Sequence, residues 1–80
     1  MSWSTKNKSG FMKGQVTTFV KAVRKNTGDA WDWMVPMVQE ALIAQKALSI
    51  MSGQASETVR TDAINDLYHE MLVEAGLRSE

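Results

Sequence analysis

The sequence predicts a small all-α protein, an antiparallel three-helix bundle that follows a flexible basic N-terminal arm. Three segments place apolar residues at the spacing of an amphipathic helix, glycines separate them, and no segment alternates polar and apolar residues as a half-buried strand does. The chain has 80 residues, of which 44% are apolar, and a chain of this length has room for one hydrophobic core. We therefore expect a flexible arm over residues 1–10 and a single helical domain over residues 11–80.

The first helix is predicted from residue 11 onward, after an arm made mostly of Ser, Lys, Asn and Thr. Basic residues occupy one side of this helix, and Asn26-Thr27-Gly28 supplies its end because Asn and Gly tolerate the backbone conformation that closes a helix. The apolar residues recur at helical intervals and form one face; they are Met12, Val16, Phe19, Val20 and Val23.

Pro36 leaves two alternatives for the second helix. One is a continuous helix from Ala30 to Ser52, ended by Gly53, that is kinked at the proline; the other is a short turn followed by a helix that begins at Pro36. Because Val35 is a poor N-cap, we favour the continuous, kinked helix. Beyond the proline this helix is apolar on two faces and needs cover on both sides; one face comprises Met37, Ala41, Ala44, Leu48 and Met51, and the other Ile43, Ala47 and Ile50.

The third helix is predicted to start after an N-cap at Ser56 and to stop at Gly76, with Leu77 folding back onto the helix end. Three helices joined by short loops favour an antiparallel bundle with the second helix in the middle. The apolar face of the third helix is broad; it comprises Val59, Ala63, Ile64, Leu67, Tyr68, Met71, Leu72 and Ala75.

Charge is unevenly distributed although the formal net charge is zero at pH 7. Residues 1–28 contain six basic residues and no acid, an arrangement typical of nonspecific contact with nucleic-acid phosphates. The alternative is that this basic end only neighbours the third helix, whose outer face is acidic and would repel phosphates. The basic candidates are Lys6, Lys8, Lys13, Lys21, Arg24 and Lys25; the acidic face comprises Asp62, Asp66, Glu70 and Glu74.

Residue types that carry catalysis are sparse. The chain has no cysteine, which excludes disulfides, thiolate zinc sites and cysteine nucleophiles. His69 is the one histidine, and with Asp66 it forms a single Asp-x-x-His pair, whereas di-iron helical bundles need two such pairs. We expect His69 to be exposed, and the chain to be a non-enzymatic protein with no cofactor and no metal.

The sequence also predicts a cytoplasmic protein, or a virion protein if a phage encodes it. No apolar run of the signal-peptide type occurs near residue 1, and the longest stretch without a charged residue, 47–56, has 10 residues. A membrane-spanning helix needs about 20 apolar residues. We therefore expect no membrane partner.

The pair Trp31 and Trp33 is the strongest sign of a binding surface, because two indoles separated by one residue cannot share one core pocket. We expect one indole in the core and the other against a partner.

The predicted function is a non-enzymatic protein-interaction module: an adaptor, inhibitor or assembly factor of the kind that phages and mobile elements encode. The alternative is nonspecific nucleic-acid binding by the basic arm and first helix. The predicted protein-binding residues are Trp31, Trp33, Met34 and Met37, and a homodimer or larger oligomer is predicted to form through Ile43, Ala47 and Ile50.

Overall fold

The computed structural model of the protein describes residues 10–53 and 57–79, with the side chains of the last helix described from residue 61. The chain forms α1 (Lys13–Thr27), a short 3₁₀ segment (Gly28–Trp33), α2 (Pro36–Ile50) and α3 (Glu57–Glu74). Each of the three α-helices packs against the other two, and the described residues contain no strand. The predicted all-α three-helix bundle is confirmed. The arm predicted over residues 1–10 lies outside the described residues, apart from Gly10.

Helix α1 has nearly the predicted limits. The backbone N–H of Met12 donates a hydrogen bond to Oε1 of Gln15 at 2.8 Å, which satisfies one backbone donor at the helix start. At the other end Gly28 adopts a positive φ of 61°, and its N–H donates to the carbonyl oxygen of Arg24. The predicted stop at Gly28 is therefore confirmed. Met12 itself lies just before the helix and is 44% exposed, so its predicted place on the core face is wrong.

Pro36 begins α2, and the favoured continuous helix from Ala30 to Ser52 is wrong. A proline ring disfavours helical backbone in the residue before it, and Val35 is extended, with φ −70° and ψ 153°. Proline fits the first helical position because the missing N–H has no intrahelical partner there. The Val35 carbonyl accepts bonds from the N–H groups of Val38 and Gln39 at 3.0 and 3.2 Å. The first turn thus closes without a capping side chain.

Helices α2 and α3 end in different ways. Helix α2 ends at Ile50, before the predicted glycine stop, and the predicted N-cap at Ser56 lies outside the described residues. After α3, the N–H of Leu77 donates to the carbonyl of Leu72 at 2.9 Å, and that of Gly76, with φ 80°, donates to Val73 at 3.1 Å. This pair of bonds is the Schellman motif. The predicted stop at Gly76 and the fold-back of Leu77 are confirmed.

The hydrophobic core lies where the three helices meet. Helices α2 and α3 supply its five residues with no exposed surface, α1 supplies three valines, and the 3₁₀ segment supplies Trp31. Phe19 is half-buried at the margin, where its ring meets that of Phe11 edge to face with centroids 5.2 Å apart. The buried core residues are Val16, Val20, Val23, Trp31, Ile43, Ala47, Met51, Leu67, Met71 and Leu72.

Candidate protein-interaction surface

The two indoles of the 3₁₀ segment lie in opposite environments. Trp31 is 6% exposed and belongs to the core, whereas Trp33 is 86% exposed. Residues two positions apart in a 3₁₀-helix point about 120° away from each other, so the core admits only one of them. The prediction that one indole is buried and the other exposed is confirmed. The inclusion of Trp31 among the partner-contacting residues is wrong, because its ring is enclosed by the chain itself.

Exposed apolar side chains cluster at the junction between the 3₁₀ segment and α2. Trp33 and Met37, 76% exposed, are the two most exposed, and Val35 and Val38 are 56% and 44% exposed. We call these four residues the junction patch. Val35 and Val38 were not predicted as site residues, although they directly follow the predicted residues Met34 and Met37 in the sequence. Met34, which was predicted, is half-buried and packs against the core.

A side-chain hydrogen bond attaches the 3₁₀ segment to α2 behind this patch. Nε2 of Gln39 donates to the carbonyl oxygen of Trp31 at 2.8 Å, and this bond is partly buried. The N–H of Met34 donates to the same carbonyl at 3.3 Å. Because the buried Trp31 is thus bonded to the first turns of α2, the exposed Trp33 is presented from a constrained backbone.

The charged residues that neighbour the junction patch in the sequence are all acidic. Between Lys25 and Lys46 the chain contains three acids and no base. Asp32 separates the two indoles and is exposed, as is Asp29; Glu40 is half-buried on the second turn of α2. The patch therefore lies within an acidic segment of the chain.

The two apolar faces of α2 differ in exposure, and the second of them is buried. Ile43 and Ala47 have no exposed surface, and Ile50 is half-buried against the core. The prediction that this face meets a second copy must be corrected, because α1 and α3 of the same chain already cover it. Instead the opposite side of α2 is left open, with Leu48 54% exposed and Ala41 exposed.

The basic residues of α1 form a separate surface. Lys13, Lys21, Arg24 and Lys25 are all exposed, and at 100° per residue they span an arc of about 120°. Helix α1 contains no acidic residue. The other two predicted phosphate contacts, Lys6 and Lys8, lie outside the described residues.

The acidic face of α3 is only partly solvated, and the exposed His69 on the same helix contacts an arginine. Asp62 and Glu74 are exposed, whereas Asp66 and Glu70 are half-buried. His69 is exposed as predicted, and its Nδ1 lies 3.2 Å from Nη1 of Arg78. A guanidinium group can only donate, so Nδ1 accepts this bond.

Arg78 also places its guanidinium carbon 5.8 Å from the ring centroid of Tyr68, a cation–π distance. Within residues 10–53 and 57–79 no three histidine, aspartate or glutamate side chains are grouped so that they could hold a metal ion.

A shallow groove of about 310 Å³ separates the end of α1 from α2. It is open to solvent, and Lys46 is its one charged lining residue. The groove therefore offers a mixed surface with no acid–base pair. Its lining comprises Val23, Asn26, Thr27, Leu42, Gln45, Lys46 and Ser49.

No helix in the described part of the chain is both long enough and apolar enough to cross a membrane. Comparison with protein-family models, with curated proteins and with solved structures gave no match.

Proposed function

We propose that this protein is a small non-enzymatic interaction module that acts by occupying a surface of a partner protein through the junction patch. The observation that carries the proposal is the 86% exposure of Trp33, together with the 76% exposure of Met37 four residues later. Tryptophan is enriched among the residues that dominate binding energy. Burying an exposed indole removes roughly 170 Å² from water, a gross gain of about 4 kcal/mol before the entropy of association is subtracted.

The acids of this segment indicate the charge of the partner. Because the segment that carries the patch contains Asp29, Asp32 and Glu40 and no base, a complementary surface would have an apolar pocket bordered by Lys or Arg. Charges at the margin of an interface act mainly on orientation and association rate, whereas the buried apolar centre provides affinity. We expect the role to be that of an adaptor, inhibitor or assembly factor, encoded by a phage or mobile element and working in the cytoplasm.

The test is capture of partners from host lysate by the tagged full chain, compared with Trp33→Ala and Trp33→Phe. We expect a stoichiometric, nuclease-resistant protein that Trp33→Ala fails to capture and Trp33→Phe retains in part, because phenylalanine restores part of the apolar contact. Met12→Ala is the control, since Met12 is an exposed apolar residue outside the patch. Capture that is equal for Trp33→Ala and wild type would contradict the proposal.

A second candidate function is nonspecific nucleic-acid binding by α1. It is supported by the four exposed basic residues of that helix and by the absence of any acid within it. Four phosphate contacts on duplex DNA predict that log K falls with log salt with a slope of about −4. Lys21→Gln should reduce that slope by about one. An affinity that does not change with salt would rule this function out.

A further inference from the structure

We infer that Met37 is a modification site, at which a peroxide oxidises the thioether to a sulfoxide and thereby weakens the junction patch as a binding surface. The inference rests on the proposed function, because it names a means of regulating the same surface. Met37 is 76% exposed and belongs to the junction patch together with Trp33. The sequence contains six methionines and no cysteine, so methionine supplies all of its sulfur atoms.

The described methionines differ widely in their access to solvent. Met51 and Met71 lie in the core, with 2% and 0% of their surface exposed, and Met34 is half-buried against it. Met12 is 44% exposed and lies outside the patch. An oxidant dissolved in water reaches a buried sulfur only when the chain opens, and a stably folded domain is unfolded for a fraction of about 10⁻³ or less. Met37 is therefore the most accessible methionine among those the structure describes.

The chemistry is a two-electron transfer of oxygen from a peroxide to the Met37 sulfur. A sulfur lone pair attacks one oxygen of the peroxide, so that the S–O bond forms and the O–O bond breaks. The departing oxygen takes up the proton of the transferred one, which leaves a sulfoxide on the chain and releases water, or an alcohol if the oxidant is an alkyl hydroperoxide. These oxidants are uncharged, so the acids Asp32 and Glu40, which flank Met37 in the sequence, do not repel them.

Oxidation of Met37 removes apolar character from the surface that the proposed function uses. The thioether becomes a polar group, and burying a polar group without a hydrogen-bond partner is unfavourable. A pocket that fits the Met37 thioether would therefore bind the sulfoxide at least about fivefold more weakly. A bound partner would cover Met37, so the reaction takes place on the free chain and opposes association.

The sulfoxide can be reduced again, which regulation of the surface requires. Methionine sulfoxide reductases return the sulfoxide to the thioether, with one enzyme for each of its two epimers. Because the Met37 side chain is exposed at the start of α2, the sulfoxide stays accessible to these enzymes in the folded chain.

Peptide mass spectrometry of the full chain during treatment with dilute hydrogen peroxide tests where oxidation occurs. We expect Met37 to be oxidised at least about tenfold faster than Met51 and Met71, and faster than Met34. Met34 and Met37 fall in one tryptic peptide, 26–46, so fragment ions assign the added oxygen. Circular dichroism establishes that the chain stays folded during the reaction. Oxidation of Met37 no faster than that of the half-buried Met34 would overturn the inference.

Retention on a phenyl resin tests, without any partner, whether the modification changes the apolar surface. Chains that carry on average one added oxygen should elute earlier than untreated chains, and treatment with both sulfoxide reductases should restore the original elution. Met37→Leu removes the sulfur and should lose more than about half of this shift, whereas Met12→Leu, at the exposed methionine outside the patch, should keep more than about half of it. A shift that Met37→Leu leaves unchanged would overturn the inference.

Capture from lysate with oxidised bait separates this inference from the proposed function. A protein whose capture depends on Trp33 should be recovered at least about fivefold less after oxidation of the wild type, whereas Met37→Leu should capture the same amount before and after treatment. Trp33-dependent capture that oxidation of Met37 leaves unchanged would overturn the inference and leave the proposed function standing. Selective oxidation of Met37 that reversibly weakens retention on the phenyl resin, without any Trp33-dependent capture, would support the inference and contradict the proposed function.

Discussion

Replacing each indole of the 3₁₀ segment in turn separates the core from the binding surface. Trp31 is 6% exposed, so folding removes roughly 200 Å² of its surface from water, a gain of about 5 kcal/mol. We expect Trp31→Ala to lower the free energy of unfolding by about 3–5 kcal/mol, the range for aromatic truncation in a core. Trp33 is 86% exposed, and Trp33→Ala should change this free energy by less than about 0.5 kcal/mol.

The assay is reversible urea and thermal unfolding, followed by far-ultraviolet circular dichroism because the substitutions remove fluorophores. Domains of this size have a total stability of about 4–12 kcal/mol, and each kcal/mol changes Tm by about 4–8 °C. Trp31→Ala should therefore lower Tm by more than about 10 °C, with Trp31→Phe intermediate, while Trp33→Ala unfolds with the wild type. Equal destabilisation by the two alanine variants would refute the assignment of one indole to the core and the other to a partner.

Three further substitutions test contacts that position the surface, all by the same unfolding measurement. Gln39→Ala removes the 2.8 Å bond to the 3₁₀ segment and should cost about 1 kcal/mol, whereas the exposed Gln45→Ala should be neutral; equal effects would contradict the role of this bond. Gly76→Ala places a Cβ at φ 80° and should cost about 1–2 kcal/mol. Gly53→Ala, without a positive φ, should not destabilise, and a loss equal to that of Gly76→Ala would argue against backbone strain. Ala47→Leu overfills a site with no exposed surface and should cost about 1–3 kcal/mol; unchanged stability would place Ala47 outside the core.

The fold was predictable from the sequence wherever a local pattern of residues is compatible with only one local structure. In α1, only one side carries apolar residues, so Val16, Val20 and Val23 could face only the core. At Gly76 the glycine, preceded by an apolar face and followed by Leu77, left one way to close the helix. These elements depend on near neighbours in the chain, and sequence periodicity reports near neighbours directly.

At Pro36 two local preferences of the backbone conflict, and the sequence analysis favoured the weaker one. The weak capping ability of Val35 argued for a continuous helix, but the restriction that proline places on the preceding residue is stronger than the loss of a cap. The backbone bonds from Val38 and Gln39 to the Val35 carbonyl close the first turn in any case. Because α2 begins at Pro36, Trp33 belongs to a separate 3₁₀ segment. The direction of its side chain therefore does not follow from the 100° spacing of residues along α2.

The placement of α2 shows why the binding surface could not be read from periodicity alone. Its sequence has two apolar faces of similar hydropathy, and a helix in a three-helix bundle has only two neighbours to cover it. Both α1 and α3 pack on the side of Ile43 and Ala47.

The bond from Gln39 to the Trp31 carbonyl offers a physical reason why this face of α2 is the buried one, because it couples the rotation of α2 to the burial of one indole. Rotating α2 so that Met37 and Leu48 entered the core would move Gln39 away from the 3₁₀ segment and expose Ile43. The same contact that buries Trp31 therefore leaves Trp33 and the Met37 side of α2 available to a partner.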